Sequence, residues 1–253
     1  MSNLPELQYK NLLPTRNYLQ NICLALGAIQ RSLIPQEKHD WHYGLEVGMR
    51  GILTQELPIQ DEKLRISLDF VTWKVRIGST NWSLEEYAAP EIFNNLRARL
   101  QHQGVNANIE QPEFLEGSTR FSKSEAEKFA KVLWWMDKRF AVAKAKLVGG
   151  LTAPTLLYAH HFDLALVWFP NNDQKQVAIG FSTGDEMVPE PYIYGATYPN
   201  AEILQTVQLV EGARFQTVGF TGLVLPFDAL QSGSNPQALF DSFAGTLFNS
   251  VKN

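Results

Sequence analysis

Two hydrophobic rhythms run along this chain, one of three to four residues and one of two. Tyr18, Ile22, Ala25, Ile29 and Leu33 recur at helical spacing, so a helix is predicted from Thr15 to Ile34. Thr15 can cap its start and Pro35 can end it. A second helix is predicted from Pro90 to just before Gly104, with Ile92 or Phe93, Leu96 and Leu100 inward. The longest stripe runs from Ser122 to Val148, through Ala126, Phe129, Leu133, Met136, Phe140, Ala143 and Leu147. Ser122 and Glu125 read as a capping box, and Gly149 and Gly150 as the stop. Trp134 and Trp135 widen the stripe beyond a coiled-coil seam, so this helix is expected to lie across a sheet. A last helix opens at Asn235-Pro236 and turns Leu239, Phe243, Leu247 and Val251 inward.

Elsewhere the period is two. Trp41, Tyr43, Leu45, Val47 and Met49 alternate with His42, Gly44, Glu46, Gly48 and Arg50. The runs 64–70 and 73–77 read as an antiparallel pair with one wet face. Further strands are predicted at 156–169, 176–181, 192–198 and 215–225. Strands come in runs rather than alternating with helices. The fold class is therefore α+β, with mainly antiparallel sheets covered by about four helices, one of them long and near 122–148. Without a Pro/Gly/Ser linker, the chain reads as a single domain over 1–253. Each half nevertheless holds a helix, strands and another helix, which raises a pseudo-duplication with halves at 12–112 and 121–252.

Composition narrows the classes. Of 253 residues, 45% are hydrophobic and 19% charged, a globular balance. A net charge of −4 supplies no broad basic field, so neither nucleic acid nor an anionic membrane surface is an expected partner. The single cysteine, Cys23, excludes an intramolecular disulfide and sits in a helical apolar pattern. MSNLPELQYK lacks the basic start and apolar core of a signal peptide, and no apolar run approaches the ~20 residues that span a bilayer. The expectation is a soluble, cytoplasmic protein.

Candidate chemistry gathers at two histidine clusters and one aromatic run. In YAHHFDLALVWF, a regular strand would put His161 and Asp163 on one face and His160 on the other. Such a His/Asp pair can chelate one metal, or let the carboxylate orient an imidazole as a base, and small alanines on both sides leave room for a ligand. Equally, Asp163 can serve structure by accepting hydrogen bonds from a neighbouring turn. HDWH places His42 beside glycines that leave backbone open to a ligand, or in a plain pair with Glu46. Tyr192, Tyr194 and Tyr198, among prolines 189, 191 and 199, suit either a pocket lining or an edge strand blunted by proline. The stretch Gly180 to Gly184 reads as a turn, with Asp185 and Glu186 in solvent. No metal-ligand spacing, nucleophile elbow, phosphate loop or dinucleotide fingerprint is present, so no cofactor and no metal are expected.

HDWH, LDFV at 68–71, HFDLALVWF, GFSTG, PYIYGATYP and LVLPFDAL occur in that order. Together they resemble a bacterial domain-of-unknown-function family, numbered 5996, over nearly the whole chain. The resemblance implies a histidine and aromatic pair shortly before a Ser-Phe-Asp-Leu strand, and a His-Glu pair ahead of Gly-Phe-Trp-Pro-Gly. This chain keeps Phe162, Asp163 and Leu164. It has Leu156 at the histidine's place, Lys175 and Gln176 at the His-Glu pair, and Ser182-Thr183 for Trp-Pro. His160 and His161 are the candidate substitutes. The resemblance implies a fold and no reaction.

Three functions fit these residues. The first is a small-molecule-binding protein with an aromatic and histidine-lined cleft, using His42, His160, His161, Asp163, Tyr192 and Tyr194. The second is a hydrolase-like enzyme built on His161 and Asp163. The third is a protein-interaction module whose aromatic strand pairs with a partner's edge. The sequence sets neither the ligand nor the oligomeric state.

Overall fold

A computed structural model describes residues 4–60, 62–117, 121–171 and 174–251. In chain order, helix α1 (Tyr9–Leu33) leads through a 3-10 turn (Lys38–Tyr43) to seven short strands: β1 (Glu46–Gly48), β2 (Gly51–Leu53), β3 (Leu57–Ile59), β4 (Glu62–Leu64), β5 (Ile66–Asp69), β6 (Lys74–Ile77) and β7 (Thr80–Ser83). Helices α2 (Ala89–His102) and α3 (Lys123–Ala145) follow. Then come β8 (Leu151–Thr152), β9 (Leu156–Tyr158), β10 (Asp163–Phe169), β11 (Gln176–Ser182) and β12 (Tyr192–Tyr198). The chain closes with a 3-10 turn (Ala201–Gln205), β13 (Arg214–Gln216), β14 (Gly222–Pro226), α4 (Phe227–Ser232) and α5 (Pro236–Asn249). Every sheet pairing described is antiparallel, and the fold is α+β.

The chain divides into two compact units. The N-terminal unit comprises Asn11–Trp134 and Leu156–Phe162, and the C-terminal unit comprises Met1–Lys10, Trp135–Thr155 and Asp163–Asn253. The long helix α3 thus passes from one unit to the other between its two tryptophans.

In the N-terminal unit, β1-β2-β5-β6-β7 form a meander. Ile52, Leu68 and Val75 align across it, as do Ile66 and Ile77, and all five are buried. Arg76 and Lys74 take the other side, which is the wet face that the alternation predicts. Phe129 of α3 stacks near Phe70, with ring centroids 6.1 Å apart. Ser122 accepts the Glu125 N–H at 3.3 Å, so the predicted cap of α3 is present.

Helix α1 begins six residues before its predicted start, with Pro14 inside it. Thr15 is buried in the helix rather than capping it, and its Oγ1 accepts the Ser122 N–H at 2.8 Å. The long strand predicted over Trp41–Met49 is also corrected. Residues 38–43 form a 3-10 turn with His39 and Asp40 at positive φ, and pairing starts only at Leu45, which bridges Leu157.

In the C-terminal unit, strand order is β13-β14-β12-β11-β10-β8. Leu166, Ile179 and Gly195 align on one face, flanked by Leu164, Phe181 and Ile193. Helix α5 covers that face, with Leu247 against Gly195 and Phe248 edge-on to Trp168. Phe140 of α3 packs 5.6 Å from Phe240. Asn235 caps α5 by accepting the Ala238 N–H at 3.0 Å. Strand β12 is paired on both sides, by β11 and β14, so the edge-strand reading of the aromatic run falls. With it goes the strand-pairing basis of the interaction module.

Candidate functional site

The predicted strand 156–169 is two strands, β9 and β10, joined by a turn over 159–162. Phe162 takes φ of 55° there, its N–H donates to Tyr158 O at 2.7 Å, and its ring is buried 5.4 Å from Phe129. Burying a large ring offsets the modest strain of a left-handed non-glycine residue. Because the chain turns, the period-two argument that put His161 and Asp163 on one face no longer applies. His160 and His161 are exposed at the turn, with ring centroids 4.2 Å apart. Gln20, buried in α1, donates to the carbonyls of Ala159 and His160 at 3.0 and 3.1 Å and holds the turn in place.

His42 is 3% exposed. Its Nδ1 accepts the Glu37 N–H at 3.2 Å, its ring lies 4.1 Å from Tyr43, and its carbonyl accepts from Gln30 at 2.9 Å. Gln20 and Gln30 are ten residues apart on α1, about 15 Å along its axis, so the two histidine clusters do not meet. His42, His160 and His161 all belong to the N-terminal unit.

Asp163, Tyr192 and Tyr194 belong to the C-terminal unit, and there they do come together. Asp163, Ser182, Tyr192 and Pro226 lie side by side across β10, β11, β12 and β14. The next row on the same face is Ala165, Gly180, Tyr194 and Val224. Tyr194 reaches across β11 and donates its hydroxyl to Asp163 Oδ2 at 2.5 Å. Gly180 makes this reach possible. A Cβ there would stand 2.2 Å from Tyr194 Cζ, well inside contact distance.

Aromatic rings complete the row. Tyr192 and Tyr194 lie 6.4 Å apart, and Phe220 lies 6.1 Å from Tyr192 and 6.0 Å from Tyr194. Val188 and Val224 pack with them. The loop before β12 is shaped by Asp185, whose Oδ1 accepts the N–H groups of Met187 and Val188 at 2.8 Å. Ser182 accepts the Gly184 N–H at 3.1 Å. The Tyr192 phenol is pushed above its ordinary pKa, first by burial. Ser182's hydrogen bond opposes that rise, while the charges of Asp185 and Asp163 add to it.

Sequence reasoning named Asp163, Tyr192 and Tyr194 and missed Ser182, Gly180 and Phe220. The GFSTG segment was expected to turn, whereas Gly180 to Ser182 are the last residues of β11. Among the described residues, no three His, Cys, Asp or Glu side chains gather as metal ligands. Among the same residues, no helix is long and apolar enough to cross a membrane.

The model of the family of unknown function DUF5996 matches residues 4–252. The chain belongs to that family. In this chain, Phe162-Asp163-Leu164 supplies the carboxylate that Tyr194 meets, and Gly180-Phe181 supplies the glycine beneath its ring. No curated protein and no solved structure matches the chain.

Proposed function

We propose that this member of the family binds a small molecule on the C-terminal sheet, at the Asp163–Tyr194 pair. The observation that carries the reading is the hydroxyl-to-carboxylate contact made across Gly180. Tyr194 lies over Gly180, and the Asp163 carboxylate, the Ser182 hydroxyl and the Tyr192 phenol share its face of the sheet, which gives the few placed polar groups and aromatic rings that a ligand site uses. The reading is built on residues of the C-terminal unit alone, whereas His42, His160 and His161 belong to the N-terminal unit. The hydrolase-like alternative rested on a continuous strand through His161 and Asp163, and the turn at 159–162 removes that support.

Thermal shifts against a panel of cationic, neutral and anionic metabolites test the reading, run on the native protein and on Tyr194→Phe. Compounds that raise the melting temperature of the native protein should lose most of that effect in Tyr194→Phe. Equal stabilisation of both proteins would contradict the site.

A further inference from the structure

We infer that this site selects an organic cation, a primary or quaternary ammonium group held against Tyr194 and Phe220 and balanced by Asp163. The inference rests on the binding reading above and adds the chemical class of the ligand. Aromatic faces carry negative charge density that attracts ammonium groups, and three rings sit within 6.4 Å of one another here. The carboxylate of Asp163 accepts the Tyr194 hydroxyl, so formal negative charge lies at the edge of the same cluster.

Nearby charges point the same way. Asp185 lies on the loop leading into β12, and both it and Asp163 act on the Tyr192 phenol. Arg214, which pairs with Val224 on the neighbouring strand, is tied to Glu190 at 2.7 Å and does not offset them. An anionic ligand would face carboxylates with no free counter-charge from that arginine. The loops around the rings expose two apolar side chains beside Asp185, Glu186 and Thr217. Met187 and Val218 are each 57% exposed, and Gly219 approaches Met187 so closely that an added Cβ would lie 3.1 Å from it. Methyl groups on a quaternary ammonium would pack on such side chains while the charge faces the rings.

Choline and its uncharged isostere 3,3-dimethylbutanol, titrated calorimetrically into the full-length protein, separate charge from shape. Choline should bind saturably with a dissociation constant in the millimolar range or below, as weak single-site ammonium recognition does. The isostere should bind about tenfold more weakly, a gap of ~1.4 kcal/mol. Phe220→Leu should weaken choline by a similar factor and leave the isostere unchanged. Should that variant fail to fold, Asp163→Asn gives the same comparison, with choline weakened and the isostere not. If the isostere binds as tightly as choline, the cation class falls while the small-molecule reading stands. If choline fails to bind by about 10 mM but another panel compound shows Tyr194-dependent stabilisation, the cation class alone is again overturned. If no panel compound shows such dependence, both readings fall.

Discussion

Tyr194 lies over Gly180, where a side chain on the glycine would put its Cβ 2.2 Å from the phenol's Cζ. Gly180→Ala must therefore displace the ring, the β11 backbone or both. Overpacking of this kind costs about 1–3 kcal/mol. A denaturant titration should show that loss, and Gly180→Ala should also lose the ligand stabilisation of the native protein. A variant as stable as the parent would mean the ring is seated elsewhere.

In the same unit, Phe140 is fully buried against Phe240 at 5.6 Å. Phe140→Ala should cost about 3–5 kcal/mol, the usual price of a large aromatic truncation in a core. Urea unfolding with an unchanged midpoint would place the α3 stripe against something other than this core.

Gln30 is buried in α1 and satisfies three backbone groups at once. Its Nε2 donates to His42 O at 2.9 Å and Gly44 O at 2.8 Å, and its Oε1 accepts the Gln55 N–H at 2.7 Å. Gln30→Leu keeps the volume and takes this partner from His42 O and the Gln55 N–H, at about 1–3 kcal/mol each where no replacement reaches them, while Gly44 O keeps the Gln55 Nε2 donor at 3.0 Å. Thermal unfolding should fall by several degrees, and hydrogen exchange at Gln55 should accelerate. Unchanged exchange there would show that the glutamine is not what holds this loop.

Asp69 gives a prediction in pH. Burial alone would raise its pKa, but the N–H groups of Thr72 and Val71, the Thr72 hydroxyl and the charge of Arg50 outweigh burial and lower it. A carboxyl whose folded pKa is depressed stabilises the fold fully above its unfolded value, here 3.8. That stability is lost as pH falls through the folded value. The stability gap between the native protein and Asp69→Asn should thus be constant near neutrality and shrink below about pH 4. A gap that persists unchanged into acid would assign Asp69's contribution to packing rather than charge.

The helices were legible because their signals are local. Ser122 with Glu125, Asn235 with Pro236, and Pro90 with Gly104 mark ends within a few residues of the observed ones. The start of α1 was hidden by Pro14, a residue that usually marks a first turn and here sits in the sixth position of the helix. The break after β9 carried no glycine or proline. Phe162 takes the left-handed conformation instead, held by contacts distant in sequence, its buried ring against Phe129 and the Arg16 guanidinium over it.

The candidate site was legible as a list of residue types and not as a constellation. Asp163 and Tyr194 are 31 positions apart, and their contact depends on the register of β10, β11 and β12. Nothing local to Gly180 says that a tyrosine on the next strand will lie across it. For the histidines it was the local geometry that could not be read. Their proximity to Asp163 in sequence suggested a pair, but a turn intervenes.

The most direct test follows the rings themselves. Protein carrying 13C-labelled tyrosine, titrated with whichever panel compound gives the largest thermal shift, reports where that compound sits. Ring resonances of Tyr192 and Tyr194 should move together and saturate, while those of Tyr43 in the other unit and of exposed Tyr198 stay in place. Saturable shifts at Tyr43 or Tyr198 with Tyr192 and Tyr194 unmoved would contradict the account.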